Sequence, residues 1–412
     1  MSGKSKIPPG YKKTEIGIIP EDWEVKRLGE IAEIVGRIGF RGYTKKDIVK
    51  PWKGAISLSP INIVDGKLVL YKNLTFISWF KYEESPEIKV KKGDILFVKT
   101  GSTLGKSALV RELYYPATIN PQLVTIKIKK FDSVFLSYCL NSNIFKHYLA
   151  FILGGGAIPT LSQYQLANLL IPLPPTLSEQ RIIARVLSDI DRFIESLDKL
   201  IEKKKLIKKG TMQELLTGKK RLPGFKGEWV GKSFNYLFLN IETTKYQIKV
   251  IQYKKSGKYP VIDQGKQFII AFTDNISKVF NPPEDGIIIF GDHTRIFKFY
   301  FKPFVVGADG VKLIYKKVEE IDMLFAYYLL SNISIPETGY NRHFKFLKEL
   351  EIYFPPTLAE QRAIAQILSD MDAEIEALEQ KKKKYEKIKK GAMELLLTGQ
   401  IRLKDHIKEV LA

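Results

Sequence analysis

An apolar stripe runs through this chain twice at the same spacing. Between residues 183 and 201 it steps by four and three through Ile183, Leu187, Ile190, Ile194, Leu197 and Ile201. Between 364 and 385 the steps fall on Ile364, Leu368, Met371, Ile375 and Leu378, then Lys382 and Tyr385. A mean step of 3.5 residues keeps one helix face apolar over many turns, which predicts coiled-coil helices. Pro174-Pro175 and Pro355-Pro356 bar helix ahead of each stripe. Thr176 with Glu179, and Thr357 with Glu360, have capping-box spacing. Gly218 and Gly399 suit the left-handed residue beyond a helix end. Each helix of about 40 residues would be a rod of roughly 60 Å. A lone seam needs a partner, and the long segment between the two predicts that they pair antiparallel. The lysine runs Lys203 to Lys205 and Lys381 to Lys384 read as solvated faces of the rods.

The stripes belong to a longer repeat. Residues 171–222 and 352–403 align without a gap, and 29 of 52 positions are identical. Both contain "PPTL-EQR", "LSD-D" and "LLTG--RL". Ahead of each copy lies a more divergent one. "GDILFVKTGS" parallels "DGIIIFGDHT", "YPATINPQLVTIKI" parallels "KPFVVGADGVKLIY", and "FLSYCLNS" parallels "LFAYYLLS". Trp23 and Trp229 are each followed five residues later by an apolar side chain. Short runs of Val, Ile, Tyr and Phe broken by Gly and Pro predict strands, and 133–149 and 321–330 read as helical. The expected fold is α+β: two mixed α/β domains separated by two long helices that pair antiparallel, with internal pseudo-twofold symmetry. The segments are a first domain at 1–170, a central helix at 171–222, a second domain at 223–351, and a C-terminal helix and tail at 352–412.

Charge narrows the function. With 66 basic and 45 acidic residues the net charge is +21, which suits a polyanion partner such as nucleic acid. The single cysteine, Cys139, excludes an internal disulfide and a cysteine-based zinc site. Four dispersed histidines offer no metal-ligand spacing. No apolar run is long enough to span a membrane, and the N-terminus has no apolar signal core, so a cytoplasmic protein is expected.

One stretch suggests an enzyme. "KTGSTLGKSALV" follows an apolar run and resembles a phosphate-binding loop across Gly101–Ser107. The leading glycine should then stand at position 100, which is Thr100, and the parallel segment "GDHTRIFKFY" lacks Gly-Lys-Ser altogether. A nucleotide-binding enzyme is therefore one alternative, and a coiled-coil scaffold without DNA binding is another. "NPPE" at 281–284 lacks the stacking aromatic of an adenine methyltransferase motif, so it reads as a turn.

"PPTLSEQRIIARVLSDID", "PPTLAEQRAIAQILSDMD", the closing "LLTGKKRL" and "LLTGQIRL", and the opening "GIIPEDWEVKRLGEIAEI" together resemble the DNA-specificity subunits of type I restriction-modification systems. The resemblance implies two target-recognition domains, each reading half of a bipartite, asymmetric site in double-stranded DNA. It implies partners too: two methyltransferase subunits, and restriction/translocase subunits for cleavage. S-adenosylmethionine and ATP would be cofactors of those partners only, and this subunit would be non-catalytic.

Readout needs donors and acceptors on loops that enter a groove, with cations on the phosphates. In the first domain the candidates are Lys99, Thr100, Ser102, Thr103, Lys106 and Ser107, with Arg37, Arg41 and Tyr43, and Thr160, Ser162 and Gln163. In the second they are Asp292, His293, Thr294, Arg295 and Lys298, with Asn341, Arg342 and His343.

Overall fold

The structure is a computed structural model that describes residues 7–154, 160–307, 309–336 and 342–403. It divides into two compact units, 1–196 with 382–412, and 197–381. The division cuts across both long helices, so each unit holds one globule and a stretch of each rod.

In the first unit, one sheet has the order Ser107–Leu109, Ile95–Val98, Leu123–Ile128, Ala32–Gly36, all antiparallel. A second has the order Ala117–Ile119, Ala55–Leu58, Thr75–Ile77, Ile48–Val49, with its first pair parallel. Strand Ile95–Val98 is buried on both faces because its side chains alternate. Ile95 and Phe97 join the core beneath the helices, while Leu96 and Val98 join the core shared with the second sheet. The second unit repeats this with Ile287–Gly291, where Ile288 and Phe290 face one core and Ile287 and Ile289 the other. Its sheets have the orders Phe238–Ile241, Val311–Lys316, Ile287–Gly291, Phe297–Tyr300 and Ala271–Thr273, Tyr259–Ile262, Phe304–Val306, Val279–Phe280. The apolar residues five after each tryptophan, Leu28 and Phe234, are buried at the starts of short helices.

The long helices are Leu177–Leu215 and Leu358–Leu396. In the first unit, Lys389 reaches Asp191 at 2.6 Å and the rings of Tyr385 and Phe193 lie 4.4 Å apart. In the second, Lys208 meets Asp372 at 2.5 Å and Lys204 meets Glu374 at 2.7 Å. Rising numbers on one helix meet falling numbers on the other, so the pairing is antiparallel. Of the seam, Ile183, Leu187, Leu197, Ile201, Ile364, Leu368 and Ile375 are buried, and Ile190, Ile194, Met371, Leu378 and Tyr385 are half-buried. The lysine runs are largely the solvated face expected, with Lys203, Lys205, Lys381, Lys383 and Lys384 exposed. Lys204 pairs with Glu374, and Lys205 reaches Glu379 at 2.5 Å, because each long stem spans the seam to an acidic neighbour.

The repeated motifs have structural roles that spacing alone does not reveal. Thr176 accepts from the Glu179 N–H at 3.2 Å, and Thr357 from the Glu360 N–H at 3.4 Å, as capping boxes require. The carboxylates, however, are engaged elsewhere. Both oxygens of Glu179 accept from Arg402, at 2.6 and 3.0 Å, and both of Glu360 from Arg221, at 2.6 and 2.7 Å. A guanidinium fork binds a carboxylate more strongly than one backbone N–H does. The adjacent Gln180 accepts from the Asp132 N–H at 3.0 Å, and Gln361 from the Asp322 N–H at 2.8 Å. Those two aspartates cap helices Ser133–Asn141 and Met323–Asn332. "EQR" therefore fastens each rod to its globule, and "TG--R" locks the far end of the other rod onto the same place. Gly399 adopts φ +68°, and a Cβ there would fall 2.5 Å from Pro20 Cγ, so glycine is required twice over.

Candidate nucleic-acid interface

In the first unit the polar loop 99–106 joins two antiparallel strands, Ile95–Val98 and Ser107–Leu109. The Val98 N–H donates to the Lys106 carbonyl and the Gly105 N–H to the Val98 carbonyl, closing a tight hairpin. A phosphate loop must open a helix, whose N-terminal N–H groups hold the anion. Here a strand follows, so the nucleotide-binding reading of Gly101–Ser107 fails on topology as well as on spacing.

Two other segments meet this hairpin, and a third lies against one of them. The Leu161 N–H donates to the Lys99 carbonyl at 2.8 Å, and the hydroxyls of Thr100 and Thr160 are in contact. The Lys99 N–H donates to the Gln122 carbonyl at 2.9 Å, which brings Asn120 and Gln122 alongside. Gly36 lies against Gln163, where a Cβ would come 2.6 Å from the amide nitrogen. Ser102, Lys106, Thr160, Ser162 and Gln163 are exposed, while Lys99, Thr100 and Thr103 are half-buried. The Ser162 hydroxyl also caps helix Gln163–Ala167.

Other predicted residues serve the frame. Arg37 is buried, donating to the Ile119 carbonyl, the Thr118 hydroxyl and the Arg41 carbonyl, and burial pulls its pKa down. Arg41 donates to the Glu84 carbonyl, and Tyr43 accepts from Ser57 at 2.9 Å. Ser107 is fully buried and accepts from Asn141 at 3.0 Å.

The second unit builds its cluster around Gln264. That side chain donates to the Asp309 carbonyl at 3.0 Å and accepts from the His293 N–H at 3.1 Å, and its backbone carbonyl accepts from Thr294. Asp292 is buried and accepts from the Phe344 N–H at 2.7 Å, and its carbonyl accepts from buried His343. Lys298 is buried too, donating to the carbonyls of Asp263 and Gln267, and burial lowers its pKa. Arg295 reaches the Ile335 carbonyl at 3.3 Å from a φ of +61°. Arg342 is exposed beside His343, and Asn341 lies outside the described residues. Buried Asp292, Lys298 and His343 thus hold the loops that half-buried His293, Thr294 and Arg295 occupy.

Asn120, Gln122, Asp263 and Gln264 were missed by sequence reasoning. Their signal was the break "NPQ" after one strand and "DQG" after another, where polar residues interrupt apolar runs. Replacing Gln264 with alanine removes the hydrogen bonds to the half-buried His293 N–H and the exposed Asp309 carbonyl, a loss of about 1 kcal/mol. Hydrogen exchange should quicken at His293 while strand Ile287–Gly291 keeps its protection; unchanged exchange at His293 would count against this role.

These features define a duplicated protein in which each α/β unit gathers polar loops at strand ends and passes into a long helix. The chain belongs to the type I restriction modification DNA specificity domain family, whose model matches residues 20–206 and again 235–389. It is 32% identical over 96% of its length to a protein assigned as the type I restriction enzyme MjaX specificity subunit of Methanocaldococcus jannaschii, covering 97% of that relative. It is 29% identical to the MjaVIII specificity subunit of the same organism, over 94% of this chain and 95% of the other. In fold it is similar to the crystal structure of a type I restriction-modification S subunit from M. genitalium, with a TM-score of 0.61 and 17% identity over 96% of this chain and 99% of that one.

Proposed function

We propose that this chain is the non-catalytic, sequence-reading subunit of a type I restriction-modification complex. Each unit reads one half of a bipartite, asymmetric site in duplex DNA, and the paired helices set the gap. Two methyltransferase subunits dock on it and methylate adenine with S-adenosylmethionine. Restriction/translocase subunits, which use ATP, join for cleavage. The observation that carries the reading is duplication: two family matches, each with its own polar loop cluster, on one repeated helical frame. Exposed Gln163 and Gln122 suit bidentate contacts to adenine, and exposed Lys106 and Arg342 suit phosphate or guanine. The net charge of +21 supports a phosphate partner. Among the described residues no helix is long and apolar enough to cross a membrane, which fits work on DNA in the cytoplasm.

The test is co-expression with its neighbouring methyltransferase and mapping of methylated adenines across the host genome. A two-part motif with a fixed gap is expected. No new methylation, or a continuous motif, would overturn the proposal.

A further inference from the structure

In the second unit Val250 and Ile251 occupy a 3₁₀ turn, Val250–Gln252, and are 64% and 91% exposed. The turn closes through polar atoms, since Gln252 Oε1 accepts from the Lys249 N–H at 3.1 Å. Its counterpart in the first unit is Lys45–Asp47, closed in the same way by Asp47 on the Thr44 N–H at 2.7 Å. The equivalence is topological. Just beyond each turn the chain pairs with one strand of the outer sheet, Ile48–Val49 on Phe76–Ile77 and Lys254 on Phe272. One turn presents two lysines, the other two bare aliphatic side chains. The fold therefore does not require apolar residues there, and exposing them carries an aggregation risk that a binding role would offset.

The setting points to one partner. Lys245, Lys249, Lys254, Lys255 and Lys258 lie within residues 245–258, a stretch without an acidic residue, and of these Lys254 pairs with Asp274 from outside it at 2.8 Å. Tyr253, at the end of the turn, lies against Gly307, where a Cβ would come 2.9 Å from both its hydroxyl and Asp263 Cβ. Asp263 immediately precedes Gln264, so the turn adjoins the polar cluster. Aliphatic side chains flanked by cations match the way proteins part stacked base pairs while holding the phosphates.

We propose that Val250 and Ile251 form an apolar wedge that enters a base step of the half-site read by the second unit, with the flanking lysines on the phosphates. This rests on the DNA-reading function above. The test uses the full chain with its methyltransferase, on duplexes carrying the motif mapped for the wild-type complex, with 2-aminopurine placed at successive steps. Away from the adenine that the methyltransferase flips out in each half-site, unstacking should raise fluorescence at one step of the half-site read by the second unit. The Val250→Ala/Ile251→Ala variant should lose that rise and bind roughly tenfold more weakly. Lys249→Ala should keep the rise and reduce the salt slope by about one. If no motif can be mapped, the DNA-reading function itself fails. If a motif maps but no step other than the methylated adenine brightens, or the double variant brightens at that step as the wild type does, the wedge alone is overturned. Loss of the methyltransferase from the double variant, with fluorescence unchanged, would assign this face to a protein partner and also overturn it.

Discussion

Arg402→Ala is expected to destabilise the first unit by about 3 kcal/mol. Arg402 grips Glu179 with two hydrogen bonds and Asp22 with two more, at 2.7 and 2.9 Å. Those bonds, Asp22's foremost, hold its pKa above the usual arginine value. The Glu179 side chain is only 2% exposed. Without the guanidinium a charged carboxylate is left buried, and that desolvation, not the lost attraction alone, sets the size of the effect. Trp23 also loses the cation that sits 5.9 Å from its ring. Urea unfolding followed by hydrogen exchange in peptides around Trp23 measures the change. Adding Glu179→Gln should recover most of it by removing the stranded charge. A single variant as stable as the wild type would mean that the triad contributes nothing.

Exchanging residues 24–170 for the same segment of another family member is expected to replace one half of the methylated motif and leave the other half and the gap unchanged. The segment begins and ends at one ribbon, because strand Glu24–Arg27 pairs with Leu170–Leu173 and Leu170 faces Arg27. A globule inserted at adjacent points can be replaced without moving Trp23, Gln180 or Arg402. Polar contacts cross the junction from the Asp132 N–H to Gln180, from Tyr138 to Ser188 and Asp191, and from Lys67 to Glu195, so the incoming segment must keep an acidic cap and an equivalent tyrosine there. Methylome mapping of the chimaera reads the result. A change in both halves would refute independent reading.

The rods and the duplication were legible because coiled-coil packing imposes a period that survives as a sequence pattern. Most of the seam reads directly from the 3.5-residue step. The strand Ile95–Val98 was legible as an apolar run, though nothing in the run reveals that its alternate residues serve two different cores. Site residues were harder. Ser107, Lys298 and Asp292 look like readers in a linear sequence, yet burial commits their polar atoms to neighbours far away along the chain. Gln264, which only a break in the apolar runs marks out along the chain, joins the segments around 293 and 309.

The repeat, the two long helices, their seam and the basic character can all be read along the chain, since each depends on periodicity or composition. Tertiary structure alone decided which polar residues face outward, which hold the loops, and where the "EQR" and "TG--R" motifs lock together. The physical reason is distance in sequence. Arg402 and Glu179 meet across 223 positions, and His343 and Asp292 across 51, through hydrogen bonds that exist only once the sheets and rods have packed.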